Sequence, residues 1–172
     1  MLDYFAPTLA DHGEQLRAMA RQCFVETFAH QYREDDLAVF LAEAYGPDGA
    51  MLTDLADPAY HWRVAAEGGG IAGYVKVGPI GVPALDPSPG ALELKQLYVL
   101  KEWHGAGVAR ELMDWAIANA RERGAPEIYL SVFDHNLRAK KFYARYGFAD
   151  VGDCEFRVGN QIDDDRIWMR AL

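Results

Sequence analysis

The spacing of apolar residues changes character near residue 60. Before it, apolar positions recur at helical intervals. Leu16, Met19, Cys23 and Thr27 fall on one side of a first helix. Leu37, Phe40, Leu41, Ala44 and Tyr45 share one side of a second, which should stop at Gly46-Pro47. The first helix is expected to open at Asp11, with Glu14 completing a capping box three residues on. A short strand over 4–9 precedes it, and a short helical piece fits before Pro58.

Beyond residue 60 the period shortens to two. His61 to Glu67 and Ile71 to Val77 read as a hairpin around Gly68-Gly69-Gly70. Residues 78–90, rich in Pro and Gly, read as a surface loop. Ala91 to Leu100 is a strand, followed by a glycine turn and a helix over 105–123 that Gly124 would end. Glu127 to Phe133 is the next strand, and Asn136 to Tyr146 the next helix, with Ala139, Phe142, Tyr143 and Tyr146 on one face. Residues 148–158 and 162–170 close the chain as a hairpin around Gly159-Asn160. This order implies an α/β sheet covered by helices, built as a single domain over 1–172.

Three local features carry candidate chemistry. In the strand 91–100, Leu92 and Leu94 have one parity and Leu97 and Val99 the other. A β-bulge near Lys95-Gln96 would put all four on one face; a strand buried on both faces is the alternative. Next, Glu102 to Arg110 forms a strand–glycine turn–helix unit, whose backbone N–H groups and helix dipole would converge on one spot. It is no P-loop, since no Gly-Lys-Ser/Thr follows. It is a poor dinucleotide fingerprint, since Arg110 stands where a third glycine belongs. Taken alone it is as readily an ordinary turn as an anion site. Third, Asn136 suits a helix N-cap and Gly147 a helix end, while Tyr143 is either a core aromatic or a functional hydroxyl.

Composition sharpens these readings. A net charge of -9 argues against nucleic-acid binding, which needs clustered Lys and Arg. It also suits a cationic substrate. Any anion must then be held by local donors rather than by the overall field. The acidic run Asp163-Asp164-Asp165 reads first as a solvated face, with attraction of a polycation as the alternative. Cys23 and Cys154 read as thiols in a reducing compartment, and the five histidines have no zinc-like spacing, so no metal is expected. With no signal-peptide pattern and no membrane-length apolar run, a cytoplasmic protein without membrane association is expected.

In combination, the strand ELKQLYV, the turn HGAGVA and the segment NLRAKKFYARYGF resemble the signatures of the GCN5-related N-acetyltransferase superfamily. VETFAHQY near Thr27 and the tail Phe156-Arg-Val-Gly with Asp164-Asp165 are similar to the PaiA-type polyamine acetyltransferases within it. The resemblance implies a three-layer α/β (α+β) fold. Its mixed, mostly antiparallel, twisted sheet of about six to seven strands would be splayed at a β-bulge, with helices on both faces. It implies an acyltransferase that uses acetyl-CoA as co-substrate and acetylates a small primary amine, such as a polyamine, by direct attack. A protein lysine or N-terminal acetyltransferase and a non-catalytic acyl-CoA sensor are the alternatives. Homodimers occur in the family.

By the same resemblance, Leu97, Tyr98 and Val99 would pair with the pantetheine arm. Gly105, Ala106, Gly107, Val108, Ala109 and Arg110 would hold the diphosphate, and Asn136 would contact pantetheine. Tyr143 would protonate the departing thiolate, and Glu93 is the candidate base. His104 departs from the family's usual Gln or Arg at that position, which leaves the diphosphate to backbone donors.

Overall fold

The structure is a computed structural model describing all of residues 1–172. The short strand β1 (Asp3–Phe5) leads to helix α1 (Leu9–Phe28), a 3₁₀ turn (Ala29–Gln31), α2 (Glu34–Tyr45) and α3 (Ala50–Ala56). Strands β2 (His61–Glu67), β3 (Gly70–Pro79) and β4 (Leu92–Val99) follow, then α4 (Val108–Glu122), β5 (Glu127–Phe133) and α5 (Leu137–Arg145). The chain closes with β6 (Ala149–Val158) and β7 (Gln161–Ala171).

The start of α1 differs from the sequence reading. Thr8, not Asp11, is the N-cap. Its hydroxyl accepts from Asp11 N at 3.2 Å and donates to Asp11 Oδ2 at 2.7 Å. The box therefore lies three residues earlier, and the strand before it shrinks to three residues. The helix expected from 105 likewise starts only at Val108, because residues 104–107 are spent on the turn.

The seven strands form one sheet in the order β1-β2-β3-β4-β5-β7-β6. Every pairing is antiparallel except β4 with β5. That parallel pair is the key to the molecule. It holds only at Leu92–Ile128 and Glu93–Tyr129, after which the two strands part. The predicted bulge lies where they part. Lys76 of β3 faces Gln96 while Val77 faces Leu94, so Lys95 is the extra residue. The bulge also resolves the phase slip. Leu94 and Val99 join the core under α4, with Leu92 and Leu97 packed against it.

Helices cover both faces. Val108, Leu112, Met113, Ala116, Ile117 and Ala120 recur at helical spacing along α4 and pack on the sheet with α5 alongside. Each large side chain among them contributes about 1.5–3 kcal/mol by leaving water. On the other face, α1 and α2 bury Leu16, Phe24, Leu41 and Tyr45 against Val64 and Tyr74. Two polar links tie this helical layer to the far end of the sheet. Asp36 Oδ1 accepts from Asn160 N at 2.8 Å, and the Tyr32 hydroxyl donates to Asp163. No helix is long and apolar enough to cross a membrane.

Candidate active site

Where β4 and β5 part, a cavity of about 280 Å³ opens between them. Lys95, Gln96 and Tyr98 line it from β4; Ser131, Val132 and Phe133 line it from β5. On the α5 side it reaches Asn136, Ala139 and Tyr143. On the opposite side it reaches Phe24, Phe40 and Tyr45. The cavity therefore passes through the sheet and joins its two helical layers.

Strand β4 presents an unpaired backbone edge to this opening. Leu100 N donates to Ala72 O on β3 at 3.0 Å. Successive peptide groups point to alternate sides of a strand, so the edges of Leu97 and Val99 face the gap and that of Tyr98 faces β3. Within the gap, Val99 O already accepts from the His104 ring at 3.0 Å and from Cys23 Sγ at 3.4 Å. Leu97 N–H and C=O and Val99 N–H remain available.

The glycine turn leaves several backbone donors free at the start of α4. Gly107 is the N-cap of α4 in the left-handed region, at φ 86°. Ala106 N–H is spent on Trp103 O and Arg110 N–H on Gly107 O, which removes two of the six expected donors. The N–H groups of Gly105, Gly107, Val108 and Ala109 have no partner in the chain and lie at the positive end of a 15-residue helix. A Cβ built on Gly105 or Gly107 meets nothing within 4 Å, so the space over these donors is open.

His104 has a structural role. Arg138 Nη1 lies 2.8 Å from His104 Nδ1, and an arginine can only donate. Nδ1 is therefore the acceptor, and the proton sits on Nε2, donated to Val99 O. The ring clamps α5 to the end of β4 and turns no donor toward the cradle.

Asn136 caps α5 as expected: its Oδ1 accepts from Ala139 N at 3.1 Å, and its side-chain nitrogen has no partner. Tyr143 packs edge-on against Phe142 and Phe148, and its hydroxyl makes no hydrogen bond within the chain. Burial pushes it up to about 12, so it is a proton donor across the neutral range.

Glu93 is placed differently from a free base. It is 6% exposed and does not line the cavity. Its Oε2 takes Gly81 N at 2.6 Å, Val82 N at 3.0 Å and Lys95 Nζ at 2.9 Å. It anchors the loop after β3 and the bulged lysine. Three donors thus converge on one oxygen of this carboxylate.

The acidic run in β7 also departs from expectation. Strand alternation turns Asp164 outward but Asp163 and Asp165 inward, at 8% and 7% exposure, and both line the cavity. Asp163 is held by Tyr32 and by Gln161 Nε2 at 2.9 Å. Asp165 has no ion-pair partner within 4 Å. Burial first, and then Asp163, pushes its carboxyl up to about 6, while the Ser131 hydroxyl offsets this in part. These two aspartates, Tyr32 and the phenylalanines from α1 and α2 are the site residues that sequence reasoning missed. The available signal was the period of two running through the run itself.

A splayed β4–β5 pair, a glycine cradle at the following helix and a tyrosine facing the gap define a recognisable design. The acetyltransferase (GNAT) family model matches residues 14–148. The chain belongs to this family. An uncharacterized N-acetyltransferase of Mycobacterium tuberculosis is 34% identical over 160 residues, covering 93% of this chain and 97% of that one. A second, from Lactobacillus delbrueckii, is 27% identical over 155 residues, covering 90% and 89%. Among solved structures, the PaiA N-acetyltransferase of Thermoplasma acidophilum, in complex with coenzyme A, superposes with a TM-score of 0.78 at 18% identity. That match covers 100% of this chain and 99% of that one, and shows the shared fold. Family membership makes the protein an acyltransferase.

Proposed function

We propose that this acetyltransferase moves the acetyl group of acetyl-CoA directly onto the nitrogen of a small primary amine. The carrying observation is the cavity that passes through the sheet at the β4–β5 gap. It lets a thioester from the α4–α5 face meet an acceptor from the α1–α2 face. The free N–H groups of Gly105, Gly107, Val108 and Ala109 hold the diphosphate. The pantetheine arm adds to β4 like a short strand, pairing with Leu97 and Val99, while the Asn136 amide meets it from α5. Tyr98 backs this edge, and Arg110 serves the cradle through its helix position rather than its spent N–H.

The chemistry then needs little else. Backbone N–H groups beside the bulge stabilise the oxyanion as nitrogen attacks the carbonyl carbon. The C–S bond breaks, and the sulfur takes its proton from the Tyr143 hydroxyl, which the nitrogen's own proton restores through solvent. No thiol is poised to form an acetyl-enzyme: burial pushes Cys23 up to about 12 and Cys154 up to about 11. A cavity of 280 Å³ lies at the small end of ligand sites, usually about 300–1,000 Å³, which favours a small amine over a polypeptide acceptor. Calorimetry with acetyl-CoA, followed by thiol release with a panel of amines, tests this reading. Acetyl-CoA that binds but yields no thiol with any amine would make the protein a sensor instead.

A further inference from the structure

The cavity has an end that acetyl transfer alone does not explain. Asp165 is 7% exposed, faces the cavity and has no cation beside it. Burying a lone carboxylate is costly, so such a group marks the place of a cation or a proton. Around it stand apolar rings. Phe24 and Phe40 have centroids 4.6 Å apart, Phe40 and Phe156 5.6 Å, and Phe28 and Phe133 6.4 Å. All five line the cavity, on the side away from Tyr143.

We propose, building on the acetyltransferase reading, that Asp163 and Asp165 bind the ammonium of a monoamine with an apolar or aromatic body, and that Asp165 takes the proton which frees its nitrogen. Asp163, fixed by Tyr32 and Gln161, anchors the positive head. The phenylalanines enclose the body. A polyamine fits this site poorly. Asp163 and Asp165 are its only carboxylates, so a second ammonium would lie among rings or beside Lys95.

The protons balance. The ammonium passes one proton to Asp165, leaving a neutral amine and a carboxylic acid. The amine attacks the thioester, and Asp165 later releases its proton to solvent. The nitrogen's second proton replaces the one that Tyr143 gives to sulfur. Net, one ammonium and one thioester yield one amide, one thiol and one solvent proton.

Other ionisable groups that bear on Asp165 come from every neighbouring element. They are Asp163 and Asp164 on its own strand, Cys154 on β6, Tyr32 after α1, Tyr45 on α2, Lys95 and Tyr98 on β4, and Tyr143 on α5. Lys95 is paired with Glu93, and burial keeps the Cys154 thiol and the Tyr32 and Tyr143 phenols neutral near pH 7.

The test is calorimetry on the whole protein, with and without coenzyme A. The probes are 2-phenylethylamine, its neutral isostere 2-phenylethanol, and spermidine. The amine should bind more tightly than both others, and Asp165→Asn should weaken it by about thirtyfold or more, the cost of breaking a buried charge pair. Asp165→Glu should recover part of the loss. With acetyl-CoA present, Asp165→Asn should lower turnover by about a hundredfold, erase the acid limb near pH 6 and leave KM for acetyl-CoA unchanged. Equal binding of the alcohol, tighter binding of spermidine or an indifferent Asp165→Asn would each overturn the proposal. Amine binding is read without any transfer, so it stands or falls separately from the acetyltransferase reading, which fails if acetyl-CoA itself gives no heat. A thermal melt of Asp165→Asn no lower than that of the parent excludes misfolding as the cause.

Discussion

Gly107 and Gly124 sit at opposite ends of α4, and both are left-handed, at φ 86° and 74°. A Cβ on either meets nothing within 4 Å. Alanine at each therefore carries the same conformational cost, about 1–2 kcal/mol, and no packing cost. At roughly 2–4 °C per kcal/mol for a chain of this size, both variants should melt about 2–8 °C below the parent. Their effect on ligand should differ completely. The new methyl at Gly107 projects into open space at the turn, where the proposed diphosphate would sit, and should crowd it away from the free N–H groups. Losing even one charge-assisted hydrogen bond costs about 1.5–3 kcal/mol, a weakening of acetyl-CoA of about tenfold or more. The methyl at Gly124 faces solvent at the far end of the helix. Differential scanning calorimetry and acetyl-CoA titration on the pair form the assay. Equal affinities in the two variants would refute the placement of the diphosphate.

Three further outcomes follow from the same geometry. His104→Ala removes two hydrogen bonds on an exposed clamp and no phosphate donor, so titration should show acetyl-CoA weakened by only about two- to fivefold; a larger loss means the ring touches ligand. Tyr143→Phe deletes a proton donor that supports nothing else in the fold, so steady-state kinetics should show turnover down by about a hundredfold with acetyl-CoA affinity intact. Asp165 has a folded pKa near 6, above the ordinary carboxylate range, so its burial penalty is absent below about pH 4, grows as pH rises to about 6, and is complete above that. The full shift corresponds to about 3 kcal/mol, reduced to about 1–2 kcal/mol because the group opens onto a cavity. Thermal melts should show Asp165→Asn more stable than the parent at pH 7.5 and equal to it at pH 4.

How much of this could be read from the sequence depended on whether the signal was local. The bulge at Lys95 was legible because four apolar residues on β4 change parity within eight positions. The N-cap at Asn136 and the left-handed glycines were legible because capping and turns are settled within a few residues. Thr8 was missed because two overlapping boxes compete, and the Thr8–Asp11 pair wins by bonding in both directions. The surroundings of Glu93 were not legible because its partners, Gly81 and Val82, come from a loop whose return path no local pattern reveals. The spent N–H groups of Ala106 and Arg110 depend on how tightly the turn winds, which the glycines permit but do not dictate. Asp163 and Asp165 were hidden by composition, since three acids in a row look solvated. Two of them are buried only because Tyr32 and the rings of α1 and α2 close the cavity that they line.

On the proposed mechanism the acetyl group passes directly from thioester to amine through the gap between β4 and β5. That mechanism is tested most directly by following, in one reaction, thiol release from acetyl-CoA and the masses of both amine and protein. Direct transfer gives one acetylated amine per thiol released, from the first turnover, with the protein mass unchanged. No thiol release with any amine, or an acetylated protein appearing before the product, would contradict it.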